Sequence, residues 1–332
     1  MITIKDIAKL ANVSQSTVSK ALNDRSDVGE ATKARIRQLV EEYNFTPNAF
    51  GKALKNKCTE NIGIIFCREP KPLSTNPFYS RVLEGIEGEI ALNGYNLILH
   101  ILTKSDQVQL PKMIREGQVD GVILVGIFKT EFINLILEQN LNVVLVDPKV
   151  TMRNCNQVLI DNEQGGFLIT QYLIERGHRH IGFMSGDLAR WSFKLRYDGY
   201  KKALNHYGLS LDESLVITGG IEKGYEHVKT LMENEKITAI FSTNDLNAIY
   251  GYKAISEHNL KVPDDISIVG FDDIDMAKYA TPPLTTVRVY KEELGSLAVR
   301  NLFRAIKSKE KTAETTIVPV KVIERESVRS LI

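Results

Sequence analysis

From residue 61 onward, short apolar runs alternate with segments of helical periodicity, and no other feature restricts the fold so tightly. Candidate strands fall at 62–66, 97–102, 121–125, 143–146, 181–184, 239–242 and 266–270. Amphipathic segments such as 78–92, 106–116 and 165–176 lie between them. A strand that reaches the next one through a helix returns to the same end of the sheet, so the pairing is parallel and helices cover the faces. About ten strands is a large number for one sheet, which predicts two sheets side by side. The chain has 332 residues, 43% hydrophobic and 25% charged, enough for two or more packed domains.

In open sheets of this kind, ligands sit outside the carboxyl ends of the strands. Several polar clusters fall there: Asn244-Asp245, Asp272-Asp273, Asp147, Phe78 and Tyr79 after the first strand, and the run Trp191-Ser-Phe-Lys-Leu-Arg196. Aromatic faces beside carboxylates, amides and an arginine suit a sugar, whose ring face stacks and whose hydroxyls take hydrogen bonds. Asn and Asp after a strand also form turns, and Arg196 could belong to a plain helix start, so both readings stay open on these residues alone.

The first sixty residues have a different pattern. Thr3-Ile-Lys-Asp6 fits a helix-capping box, and Ile4, Ile7, Ala8 and Ala11 then recur at helical spacing. After the break at Asn12-Val13, Ser14 is a good N-cap for a helix over 15–22. Its apolar side is Val18, Ala21 and Leu22; its polar side is Gln15, Ser16, Ser19 and Lys20. A third helix over 30–43 is expected to bury Ile36, Leu39, Val40 and Tyr43. Two short helices joined by a tight turn, completed by a third, form helix-turn-helix architecture. A three-helix protein-interaction bundle has the same pattern. Charge adds little. The net is +1 overall, with 10 Lys+Arg against 7 Asp+Glu in the first sixty residues.

The string Thr3-Ile-Lys-Asp-Ile-Ala-Lys-Leu-Ala-Asn-Val-Ser-Gln-Ser-Thr-Val-Ser-Lys-Ala-Leu-Asn23, together with the later Tyr43-Asn-Phe-Thr-Pro-Asn48, resembles the opening of the LacI/GalR family of bacterial repressors. Val119-Asp-Gly-Val-Ile, Arg176-Gly-His-Arg-His-Ile-Gly-Phe, Arg196-Tyr-Asp-Gly-Tyr, Ser242-Thr-Asn-Asp, Val262-Pro-Asp-Asp-Ile-Ser-Ile-Val-Gly-Phe-Asp-Asp and Pro282-Pro-Leu-Thr-Thr-Val carry the resemblance over essentially the whole chain. It implies a small all-α helix-turn-helix head at 1–46, a hinge at 47–59, and an α/β body at 60–332. That body is similar to periplasmic sugar-binding proteins. It would have two parallel-sheet lobes, one of about 60–159 plus 290–323 and the other of about 160–289 plus 324–332.

By the same resemblance Gln15, Ser16 and Lys20 take base-reading positions, and Thr3, Ser14, Thr17, Ser19 and Asn23 take phosphate-contacting ones. Asn48 to Lys55 would form a hinge helix that folds on operator DNA, with Asn48 at the DNA and Leu54 wedged into the minor groove. Phe78, Tyr79, Arg196, Asn244 and Asp272 match effector contacts, with Asp161, Arg190, Trp191 and Ser192 nearby. Three positions depart from the family pattern. Gly51 weakens a free hinge helix by roughly 1 kcal/mol, Phe45 replaces a common Tyr and its possible phosphate contact, and Gly29 replaces a common Ser cap.

The implied function is a repressor whose affinity for a pseudo-palindromic operator is set by a small molecule, most simply a carbohydrate, acting as a homodimer. Arg190 beside Trp191 leaves room for an anionic or purine-like ligand, and a catabolite-control type with a protein or sugar-phosphate corepressor is the alternative. A sugar-binding receptor would fit 60–332 alone, but the head argues against it. An enzyme is not expected. No G-x-S-x-G, P-loop or G-x-G-x-x-G is present, and no nucleophile–base pair stands out. No cofactor or metal is expected either. His178 and His180 lack further ligands and are expected to cap backbone in a helix-to-strand turn. The cysteines, Cys58, Cys67 and Cys155, are scattered, the opening residues lack a signal-peptide pattern, and no apolar run approaches ~18 residues. The cytoplasm is the expected setting, away from membranes. No leucine heptads come after the body, so a dimer is expected rather than a coiled-coil tetramer.

Overall fold

The computed structural model describes residues 2–45, 58–67, 72–103, 105–148, 152, 154–220, 223–308 and 312–332. The hinge expectation, with Asn48, Gly51 and Leu54, lies outside them. The chain divides into a unit of residues 1–60 and a unit of residues 61–332.

The first unit holds α1 (Ile4–Ala11), α2 (Gln15–Leu22) and α3 (Glu30–Glu42). The capping box forms as the sequence predicts. The Asp6 carboxylate accepts from the Thr3 backbone N–H at 3.0 Å and from its hydroxyl at 2.6 Å, while the Thr3 hydroxyl oxygen accepts from the Asp6 N–H. Asn12 closes α1 in the left-handed region, φ 54°, which its short amide side chain tolerates. Ile7, Ala8, Ala11, Val18, Ala21, Val28, Ile36 and Phe45 make the core. Phe45 is thus a core residue. Tyr43, expected to be buried, is 43% exposed, because it comes after the last turn of α3 and the chain then turns Phe45 inward instead.

The second unit contains twelve named strands among the described residues. The first are β1 (Asn61–Cys67), β2 (Asn96–Leu102), β3 (Gly121–Val125), β4 (Asn142–Val146) and β5 (Asn156–Ile160). Then come β6 (Ile181–Ser185), β7 (Val216–Thr218), β8 (Ala239–Ser242) and β9 (Ser267–Val269). The last are β10 (Thr286–Arg288), β11 (Thr315–Val318) and β12 (Lys321–Ile323). One sheet has the order β11-β5-β4-β3-β1-β2 and a second the order β7-β6-β8-β9, with every pair parallel; β10 and β12 form an antiparallel ribbon. Strands such as GVILV and IGFMS are buried along their whole length, as strands covered on both faces must be.

The helices of this unit are α4 (Tyr79–Leu92), α5 (Lys112–Arg115), α6 (Thr130–Leu137), α7 (Asn162–Glu175), α8 (Trp191–His206), α9 (Gly224–Leu231), α10 (Asp245–Glu257), α11 (Asp275–Tyr279) and α12 (Lys291–Lys307). The helix expected over 106–116 is only the single turn α5. Pro111 removes a helical donor, Val108 is 71% exposed, and Gln107 turns inward to bond the Lys129 N–H at 2.7 Å. The crossing of α7 and α8 positions a buried arginine. A Cβ on Gly199 of α8 would stand 2.1 Å from the Glu163 carbonyl, and one on Gly166 of α7 would stand 2.3 Å from the Arg196 carbonyl. Glycine at both positions lets the two backbones cross closely enough for Arg196 to reach α7.

Candidate functional site

In the head, Ser14 caps α2. Its Oγ accepts from the Thr17 N–H at 3.0 Å and lies 2.9 Å from the Thr17 hydroxyl. Asn23 closes the helix by donating to the Ser19 carbonyl at 2.6 Å. These bonds fix the ends of α2 and leave Gln15 and Ser16 exposed on its surface, while Thr17 and Ser19 are half-buried. Lys20 is exposed too, but its ammonium lies 2.5 Å from Asp27 Oδ2. Thr3 is tied to Asp6 at the start of α1. A small polar helix surface of this kind can meet a DNA groove, with hydroxyls near phosphates and longer side chains at base edges.

In the body, candidate residues gather at the carboxyl ends of both sheets. After β1, Tyr79 begins α4 with its hydroxyl donating to Asp147 Oδ2, just past β4, at 2.8 Å. Phe78 packs edge-on against Tyr79 with centroids 5.0 Å apart. On the other sheet, Arg196 is buried in α8. Its Nε donates to Asn162 Oδ1 at 2.8 Å, one terminal nitrogen donates to the Thr243 carbonyl, and the other lies 3.2 Å from Asp272 Oδ1. The guanidinium carbon sits 3.7 Å above the Phe271 ring. Asp272, after β9, has φ 112°, and Asp147 has φ 49°, left-handed conformations that cost energy in residues other than glycine and gather at functional sites.

The charges of the two ends act on one another. Burial pushes the Asp147 carboxyl above its usual range, while Arg190, the Tyr79 hydroxyl and Arg196 pull it back. Burial also raises Asp272, opposed by Arg196 and Lys291. Arg190 precedes α8, its guanidinium carbon 4.8 Å from the Phe193 ring centre, and its buried Nε has no hydrogen-bond partner among the described residues. Trp191 is 39% exposed and Ser192 is buried. Asp161 and Asn244 are helix caps, accepting from Gln164 N–H at 3.2 Å and Asn247 N–H at 2.8 Å. Turn chemistry is therefore part of what both do.

Sequence reasoning missed the residues that hold Arg196 in place: Asn162, the Thr243 carbonyl and the Phe271 ring. The pattern of polar residues after strands points to Asp272 and Asn244 but carries no sign of which partner each finds. The histidine expectation holds only in part, because the backbone carbonyl that His178 bonds is not one of the helix. His178 is buried and spans the Thr238 hydroxyl at 3.0 Å and the Arg329 carbonyl at 3.2 Å, while the helix carbonyl of Ile174 is capped by Arg179. Among the described residues no cluster of three or more possible metal ligands occurs, and no helix is long and apolar enough to cross a membrane.

A separate cavity of about 630 Å³ is lined by Pro77, Ser80, Arg81, Asp273, Asp275 and Lys291 among others. Its charges are already matched: Arg81 with Asp275 at 2.7 Å, Arg288 with Asp273 at 2.6 Å, and Lys291 with backbone carbonyls. At the strand ends, by contrast, the buried Arg190 Nε has no hydrogen-bond partner among the described residues.

Comparison with known proteins is consistent over the full length. Residues 3–48 match the model for bacterial regulatory proteins of the lacI family, and residues 170–328 match that for a periplasmic binding protein-like domain. The chain is 34% identical to the HTH-type transcriptional repressor PurR of Vibrio atlanticus (strain LGP32), over 100% of both chains. It is also 34% identical to the ribose operon repressor of Haemophilus influenzae, again over 100% of both. Among solved structures, a transcriptional regulator CelR–cellobiose complex is similar at 26% identity with a TM-score of 0.74, covering 98% of this chain and 100% of the other.

Proposed function

The chain belongs to the lacI family of bacterial regulatory proteins, and on that premise we propose that a sugar or sugar derivative, bound at the facing strand ends of the body, sets how tightly the head holds operator DNA. The protein is a ligand-regulated, DNA-binding repressor rather than an enzyme. In this reading a homodimer in the cytoplasm places two copies of α2 in successive major grooves of a pseudo-palindrome. Gln15, Ser16 and Lys20 read bases. Thr3, Ser14, Thr17, Ser19 and Asn23 fix register on phosphates, and Asn48 and Leu54 act at the minor groove between the half-sites. Phe78, Tyr79, Asp161, Arg190, Trp191, Ser192, Arg196, Asn244 and Asp272 surround the ligand, whose binding biases the arrangement of the lobes and through it the affinity for DNA.

The observation that carries the sugar reading is the pairing of carboxylate and aromatic ring on both sides: Asp147 with Tyr79 and Phe78, and Asp272 with Arg196 over Phe271. Carboxylates accept from sugar hydroxyls, and the half-buried Phe78 ring can stack on a sugar, while Phe271, itself covered by the Arg196 guanidinium, supports the arginine. The names of two relatives, a ribose operon repressor and a regulator in complex with cellobiose, agree with it. A second reading has its own support. The open, buried Nε of Arg190 suits an anionic group, such as that of a sugar phosphate. Thermal unfolding of the full chain with neutral sugars, sugar phosphates and nucleobases tests both. A ligand that binds only the folded body raises its transition by mass action. A rise with neutral sugars supports the first reading, a rise with phosphorylated ones alone supports the second, and a rise with nucleobases alone rejects both.

A further inference from the structure

We infer that Asp27 is a positioning residue for base reading: its carboxylate holds the Lys20 ammonium away from the phosphate backbone until a matching base edge is in reach. This rests on reading α2 as the helix that meets DNA. The Lys20 Nζ lies 2.5 Å from Asp27 Oδ2, joining the polar face of α2 to the segment between α2 and α3. The two side chains are 45% and 55% exposed, so the pair lies at the surface of the head. Gln15 and Ser16 are exposed on the same helix.

A lysine on a flexible four-carbon stem can satisfy itself on any phosphate, and that contact tightens binding to every sequence while reading none. A carboxylate already at the ammonium changes the comparison. Moving to a phosphate exchanges one anion for another and gains little. Bonding the O6 and N7 acceptors of a guanine is different, because the ammonium has three donors and Asp27 occupies one of them. The pair can therefore stay intact while the remaining donors read a base. The Asp27 carboxyl is kept below the usual range, first by the hydrogen bond from Lys20 and with a smaller contribution from Arg25, so it is ionised at neutral pH. Exposed pairs of this kind are weak, so the effect lies in discrimination and not in holding the head together.

The test uses the full chain and four variants: Asp27→Asn, Asp27→Glu, Lys20→Ala and the double variant Lys20→Ala/Asp27→Asn. Fluorescence anisotropy is measured over a range of salt on three duplexes. One is the operator selected from genomic fragments, one is a copy changed at the base pair whose preference Lys20→Ala alters, and one is unrelated. Asp27→Asn is expected to tighten binding to the unrelated duplex by about three- to tenfold and to steepen its salt dependence by about one phosphate contact. It should also reduce preference for the operator over the changed copy by about threefold or more. Asp27→Glu should keep the parental pattern, and in the Lys20→Ala background Asp27→Asn should change nothing. The inference is overturned if Asp27→Asn shifts all three duplexes equally with an unchanged salt slope, or if its effect persists without Lys20. Absence of any specific operator binding by the parent chain would instead reject the reading of α2 itself.

Discussion

The head and the body anchor their functional side chains in opposite ways. In the head the groups proposed to meet DNA lie at the surface, and the bonds that place them span three to seven residues: Thr3–Asp6, Ser14–Thr17, Asn23–Ser19 and Lys20–Asp27. In the body the central groups are buried, and the bonds that place them span 34, 47 and 68 residues: Arg196–Asn162, Arg196–Thr243 and Tyr79–Asp147. A surface read by DNA can thus be altered one residue at a time without disturbing the fold. The proposed ligand position is inseparable from the packing of α7 on α8 and from the ends of two sheets.

Truncating one residue of each kind puts this contrast under the greatest strain. Arg196→Ala removes the counter-charge of the buried Asp272 and strands the Asn162 and Thr243 acceptors. Loss of one partner from a buried pair costs about 3–5 kcal/mol, so the body's unfolding transition should fall steeply and ligand response should vanish. Gln15→Ala, on the exposed face of α2, should leave unfolding within about 0.5 kcal/mol while changing DNA binding. Equal stability losses in denaturant titrations would erase the distinction.

A smaller effect tests burial through pH. His178 is buried between Thr238 and Arg329, and burial holds its imidazole pKa below the ordinary value of 6.5. A base with a depressed folded pKa binds fewer protons folded than unfolded. Its contribution to stability is intact above 6.5 and is lost as pH falls below it, toward the folded value. His178→Gln should lower stability at pH 7 by about 1–3 kcal/mol, through the partners it leaves. It should also weaken the parent's loss of body stability between about pH 7 and 5. Parallel pH curves for parent and variant, measured by circular dichroism, would show that His178 does not titrate in this range.

What the sequence made legible divides along the same line. The head could be read because caps such as Thr3 and Ser14 act on donors three residues away, and because Val18 and Ala21 keep helical spacing. Strands β1, β3, β4, β6 and β8 were legible because burial on both faces demands apolar runs, and β2 and β9 were legible from their apolar stretches as well. β5 was not, since its run Asn-Gln-Val-Leu-Ile opens with two polar residues, nor were the shorter β7, β10, β11 and β12, each of three or four residues and placed by partners distant in the chain. The 106–116 segment failed as a helix because Pro111 and the inward turn of Gln107 outweigh its periodicity. In the body, strand ends marked the region of the ligand, but only the fold brings Asn162 and Phe271 to Arg196. Even in the head, the Lys20–Asp27 pair was not visible. Opposite charges seven residues apart meet only because the chain between α2 and α3 folds back.

A head that binds a specific DNA site, under the control of a ligand held by the body, can be tested in one titration. The affinity of the full chain for an operator selected from genomic fragments is measured at one salt concentration, with and without the ligand found by thermal unfolding. Operator binding should be at least about a thousandfold tighter than binding to unrelated duplex. The ligand should change it by about fivefold or more, and that change should disappear in Arg196→Ala. Specific binding that is indifferent to a ligand the body demonstrably holds would contradict the coupling of body to head.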